Sequence, residues 1–147
     1  MTAAGIDAAR GTGDGVAAAD GAAWADVEAA VRGSGTSFYW AMRLLPADQR
    51  RAMFAVYAFC REVDDIADEP GEVEDKKRAL RAWRQAIDAL YGGVAPLPLT
   101  RALAEPVRVY GLQRADFHAI IDGMEMDAAP RVRIADRGEL GLYCDRV

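Results

Sequence analysis

The chain has 147 residues, 52% of them hydrophobic and 28% charged, with a formal net charge of -5. That length allows one domain or part of a larger one, and the apolar share is enough to bury a core. The acidic balance and the lack of a basic stripe argue against a nucleic-acid partner, although an acidic protein still takes an anionic substrate when a metal ion stands between the two.

Residues 1–22 are rich in Ala and Gly with scattered Asp. They lack the basic start and apolar run of a signal peptide, their acids do not suit a transit peptide, and they read as a disordered tail. No stretch approaches the ~20 apolar residues of a membrane span. A cytoplasmic protein is therefore expected, with peripheral contact to a membrane surface open to an enzyme whose product is insoluble in water. Cys60 and Cys144 have no metal-type spacing and sit among apolar neighbours, so both are expected to be free, buried thiols.

Helical spacing recurs along the rest of the chain and no strand alternation is visible, which predicts an all-α fold. A short helix is expected over 24–32, broken by Gly33, Ser34 and Gly35, and a second short segment over 37–45. Pro46 suits the first turn of a third helix, which runs to about Asp68 and is closed by Pro70 and Gly71. The fourth, over 73–91, places Leu80, Trp83, Ile87 and Leu90 on one face. Its other face carries Lys76, Lys77, Arg81, Arg84 and Asp88, so one-sided packing is expected. Gly92 and Gly93 stop it. A fifth helix over 99–110 contains Pro106, which is expected to kink or divide it, and Gly111 ends it. A sixth aligns Phe117, Ile120, Ile121 and Met124. The last begins near Asp136, aligns Leu140, Tyr143, Cys144 and Val147, and is still in pattern at the final residue, as though cut mid-helix.

The third helix carries the chemistry. At ~100° per residue, Met53, Tyr57, Cys60, Asp64 and Asp68 share a face, with Phe59 and Ile66 near the opposite one. A helix apolar nearly all round is a buried helix, so the two acids are expected to continue an inward-pointing stripe. Two carboxylates on one buried face repel each other and lose their hydration. Magnesium relieves both penalties, binding typically through one or two carboxylates plus substrate phosphates. Asp65 lies about a quarter turn away. Arg61, one turn before Asp64, either holds a diphosphate or neutralises the acids. The competing reading is a solvated acidic helix end, but acids there oppose the helix dipole, which favours the metal site. His118 reads as a surface or boundary residue, Tyr57 and Tyr143 as core aromatics, and Asp127 as a solvated cap. No Gly-rich phosphate loop and no nucleophile–base pair is visible.

Several segments then carry a resemblance: Thr36-Ser-Phe-Tyr-Trp-Ala, Leu44-Leu-Pro with Gln49-Arg, Tyr57-Ala-Phe-Cys-Arg-Glu-Val-Asp-Asp-Ile-Ala-Asp68, and Tyr143-Cys. Over about 34–147 the chain resembles the squalene/phytoene synthase family. The wording Gly123-Met-Glu-Met-Asp127 and Tyr143-Cys-Asp-Arg-Val147 is most similar to its bacterial branch, which makes presqualene diphosphate for hopanoids. The resemblance implies the N-terminal half of an all-α isoprenoid-synthase fold over 23–147. It implies that Asp64 and Asp68 form the first aspartate-rich motif, holding magnesium and, through it, farnesyl diphosphate, with Arg61 on the diphosphate and Asp65 beside it. It places Ser37 and Phe38 in a flap lining the substrate site, Tyr57 and Asp127 at cavity positions, and Tyr143 near the reacting allylic carbon. The implied reaction joins two farnesyl diphosphates head to head; continuing to squalene needs NADPH, for which no dinucleotide fingerprint appears. A second aspartate-rich motif, which family members carry on a later helix, is not reached by this sequence. The alternatives are a phytoene synthase using geranylgeranyl diphosphate, a head-to-tail chain-elongating synthase, or a non-catalytic helical binding module or inactive fragment.

Overall fold

In the computed structural model the described residues are 13–33, 37–128 and 136–145. They form helices and connecting turns, with no strand among them. In chain order these are α1 (Gly13–Gly33), α2 (Ser37–Arg43), α3 (Ala47–Asp68), α4 (Val73–Tyr91), α5 (Pro98–Tyr110), α6 (Arg114–Asp127) and α7 (Arg137–Cys144). The all-α expectation holds. α1 starts well ahead of the expected 24–32. Of the tail read over 1–22, residues 13–22 are thus helical and 1–12 lie outside the described residues.

The centre of the fold is α3, which packs against α1, α2, α4, α5 and α6. Its buried side chains are Ala52, Phe54, Ala55, Ala58, Phe59, Val63 and Ala67. The small residues let neighbouring helices approach closely, and Phe59 fills the space between them. Its ring meets Trp83 of α4 edge-on at 5.6 Å and Phe117 of α6 at 5.1 Å between centroids. Leu80, Ile87, Leu103 and Ile121 complete the core with no exposed surface.

The helix ends follow the local chemistry of the sequence. Pro46 is the N-cap of α3, and Glu69 turns extended at its C-cap ahead of Pro70. No basic residue lies in the last turn of α3, but Lys76 of α4 reaches back and donates to the Ala67 carbonyl at 2.6 Å. A cation there satisfies an end carbonyl and suits the negative end of the helix dipole. α5 ends at Gly111, whose φ of 64° lies in the left-handed region that glycine enters without steric cost. The buried Thr100 hydroxyl accepts from Leu97 N–H and donates to the Leu97 carbonyl, both at 2.9 Å, so this hydroxyl is satisfied at the start of α5. The Tyr91 hydroxyl donates to the Leu112 carbonyl at 2.6 Å and ties the end of α4 to the turn before α6.

Four expectations need correction. Pro106 does not divide α5: it is a buried residue inside one continuous helix, where its missing N–H leaves the fourth carbonyl back without its helical donor. α4 does not pack on one side only. Its apolar stripe is buried as expected, but Arg84 on the other face is half-buried against α6, where it pairs with Asp122 and, at 3.1 Å, with Glu125. The apolar stripe of α7 is not buried among its described residues, Leu140 and Cys144 included; Val147 lies outside them. The two thiols are free, as expected, but Cys144 is exposed and Cys60 only half-buried.

Candidate functional site

The acids sit where α3 leaves the core. Val63 and Ala67 are buried, which holds the C-terminal turns of α3 in register and carries Asp64 to the rim. The stripe of Met53, Tyr57, Cys60, Asp64 and Asp68 does not point inward as expected. Met53 is exposed, Tyr57, Cys60 and Asp64 are half-buried, and Asp68 is exposed. The neighbouring helices occupy the Phe59–Val63 side instead, leaving this stripe as a partly open face.

Arg61 organises two of the acids. Its Nη1 donates to Asp64 Oδ2 at 2.9 Å and its Nη2 to Asp65 Oδ1 at 2.6 Å, so one guanidinium spans carboxylates three and four residues on. The acids nevertheless crowd one another. Burial, followed by the charge of Asp68, pushes the Asp64 carboxyl above the usual carboxylate range; Arg61 pulls against this, while Asp65 and Asp127 add to it. Asp127 stands on the last turn of α6, which packs against α3. Asp127 in turn accepts from the Tyr143 hydroxyl at 2.8 Å, which links α7 to α6. That bond is the main reason the Tyr143 phenol sits above its ordinary value, so it stays protonated at neutral pH. A recess of about 290 Å³ lined by Ala30, Gly33, Ala58, Arg61, Glu62 and Asp65 adjoins the guanidinium.

The structure thus gathers Arg61, Asp64, Asp65, Asp68, Asp127 and Tyr143. Asp127 is not simply a solvated cap, since it is half-buried and hydrogen-bonded. Ser37 and Phe38 open α2 with exposed side chains. Tyr57 is half-buried two turns before Asp64 on the same face. Cys60 lies between them, and burial pushes its thiol up, away from the reactive thiolate.

As a metal centre the group is open. Among the described residues no set of three or more His, Cys, Asp or Glu is arranged to hold an ion. Asp64 and Asp68, four residues apart, offer the one or two carboxylates that magnesium uses when phosphate oxygens and water complete its shell. The strained ionisation of Asp64 is the mark of acids that a divalent cation would relieve, so the donor set fits.

One cluster was not foreseen. Arg84 of α4 donates to Asp122 and Glu125 of α6, and its Nη1 lies 3.2 Å from His118 Nδ1. His118 Nε2 lies 2.9 Å from Asp88 Oδ1. Arginine only donates, so Nδ1 accepts and the proton sits on Nε2, which donates to Asp88. The signal was present in the spacing of His118, Asp122 and Glu125 on one face of α6, opposite an α4 face read as solvent-facing.

The family model for squalene/phytoene synthase matches residues 31–147. A presqualene diphosphate synthase from Rhodopseudomonas palustris is 55% identical over 113 residues, covering 77% of this chain and 40% of that protein. One from Zymomonas mobilis is 49% identical over 124 residues, covering 83% of this chain and 42% of the relative. A chloroplastic phytoene synthase from Daucus carota is 33% identical over 108 residues, 74% of this chain and 27% of the relative. The chain spans about two-fifths of the length of the two presqualene diphosphate synthases it matches.

Proposed function

Because the chain belongs to the squalene/phytoene synthase family, we propose that it supplies the first aspartate-rich half of a magnesium-dependent prenyltransferase joining two farnesyl diphosphates head to head. The product is presqualene diphosphate, a step toward squalene and hopanoids, and inorganic diphosphate is released. The observation that carries this reading is the Arg61 fork over Asp64 and Asp65 at the end of α3, with Asp127, held by Tyr143, on the adjoining α6. The higher identity to presqualene diphosphate synthases than to the phytoene synthase favours farnesyl over geranylgeranyl diphosphate.

Asp64 and Asp68 would hold magnesium, and Tyr57 would border the chain of the substrate. When bound, the ion would offset part of the negative charge of the carboxylates and the diphosphate and ease departure of that group. Arg61 already spreads its fork over two anions, and on substrate binding it exchanges carboxylate for diphosphate oxygens. The allylic C–O bond of the first farnesyl diphosphate breaks, its electron pair leaving with the diphosphate. The π-pair of the second chain attacks the resulting cation, and loss of a proton closes the cyclopropane. The aromatic faces of Phe38 and Tyr143 stabilise the cation. The Tyr143 phenol, kept protonated, presents a neutral ring and a hydroxyl that holds Asp127 in place.

The test supplies the full-length protein with farnesyl diphosphate and magnesium and reads products by mass. Presqualene diphosphate is expected. Asp64→Asn should cut turnover by at least a hundredfold, the scale of losing one preorganised charge in an active site. A folded protein inert toward both farnesyl and geranylgeranyl diphosphate would sink the reading.

A further inference from the structure

A cavity of about 630 Å³ opens between α1, α2 and the N-terminal half of α3, at the other end of α3 from the acids. Arg32 of α1, Arg43 of α2 and Arg50 and Arg51 of α3 line it, and among the described residues Glu28 is its one lining carboxylate. Arg32 takes that carboxylate at 2.9 Å. Among the described residues, Arg43, Arg50 and Arg51 have no carboxylate partner. In a chain whose net charge is -5, these guanidiniums, with Arg43 and Arg51 exposed and Arg50 half-buried, make a local concentration of positive charge that favours an anion.

The arginines are also held in place. The Arg43 guanidinium lies over the rings of Tyr39 and Trp40, at 5.9 and 5.8 Å, and Arg51 lies over Trp24 at 5.8 Å. Attraction between the cation and the ring faces favours these positions for the two guanidiniums. Arg50 donates to the Arg43 carbonyl at 3.4 Å, and Arg43 donates to the hydroxyl of Tyr39 at 3.5 Å. Guanidinium forks match phosphate oxygens in bidentate fashion, and several of them line this one cavity.

We propose that this cavity is a second binding site, for a phosphate-bearing anion, about 20 Å along α3 from the carboxylates. It stands independently of the prenyltransferase reading. Two sources share this chemistry: free diphosphate, and the head group of an anionic lipid. Trp40 and Leu44, 68% and 88% exposed, flank Arg43 and would meet a lipid surface.

The experiment titrates the full chain with inorganic diphosphate by calorimetry in EDTA, where the acidic site has no metal to bridge it to an anion. One-site binding is expected, weakening as salt rises and falling at least tenfold in the R43Q/R51Q double variant with its helical circular dichroism intact. R51K, which keeps the charge but not the fork, should fall between. If the double variant does not fold, R50Q replaces it with the same expectation of weakened binding. A parallel arm sediments the chain with phosphatidylglycerol or phosphatidylcholine vesicles. Arginine-dependent binding to phosphatidylglycerol alone, competed by diphosphate, identifies the lipid head group as source; diphosphate binding without vesicle binding identifies the free anion. Binding in neither arm, or binding unchanged in the arginine variants, overturns the proposal.

Discussion

Asp64 carries a cost in the folded chain. Its carboxyl is raised by burial and by Asp68, Asp65 and Asp127, against the pull of Arg61. An acid whose folded pKa exceeds its unfolded one binds protons more tightly when folded, so its charge destabilises the fold at neutral pH. That penalty fades as pH falls through the raised value and is gone below the ordinary aspartate range, where both states are protonated. Asp64→Asn is therefore expected to leave the thermal midpoint unchanged or higher at pH 7 in EDTA, with the difference closing toward pH 3. A midpoint clearly lowered at pH 7 would mean that the Arg61 pair outweighs the crowding. Paired with the turnover loss, this outcome separates a residue kept for binding from one kept for stability. The Asp64–Asp68 spacing was legible because two acids one turn apart share a face in any helix. Their position at an open rim was not, since a helical wheel shows two apolar faces on α3 without saying which one the neighbouring helices take.

Helix-to-helix polar contacts were hidden for a similar reason. α4 was readable to the residue at both ends, from the glycines behind it and its apolar stripe, yet the Arg84 face was assigned to water. Its partners Asp122 and Glu125 lie about forty residues away, and only the packing of α4 on α6 joins them. Burial works against the Arg84 charge, but the bonds from Glu125 and Asp122 prevail and raise its pKa. Replacing it by methionine keeps the packing stem but leaves two part-buried acids facing each other. Arg84→Met is expected to cost roughly 2 kcal/mol, below the range for fully buried pairs because both acids are about a third exposed. Chemical denaturation at pH 7 measures it. A loss under about half a kcal/mol would show that the network is solvated surface.

At the scale of the molecule, one core serves the helices around α3. Phe59 touches Trp83 and Phe117 and has no exposed surface, so Phe59→Ala opens a cavity where three helices meet. The expected loss is about 3–5 kcal/mol. Circular dichroism and tryptophan fluorescence should still report one coincident transition, as small single domains usually do. Separate transitions would show that α1 and α2 melt independently of the rest. The helical architecture was readable from spacing and punctuation, α1 excepted, whose Ala-rich start gave no apolar stripe to detect. No described helix is long and apolar enough to cross a membrane. The arginine cavity had no sequence signature, because its four cations come from three helices and only their assembly makes a cationic surface.

That assembly gives the acidic chain an electrical axis. α3 spans 22 residues, about 33 Å, with arginines at its amino end and carboxylates at its carboxyl end. The peptide dipoles of the helix point the same way and add to the side chains at both ends. The molecule therefore behaves as an oriented ampholyte. On the second-site proposal, its α1–α2 end would turn toward a negatively charged surface despite the net charge, leaving the carboxylates facing the solution from which cations arrive.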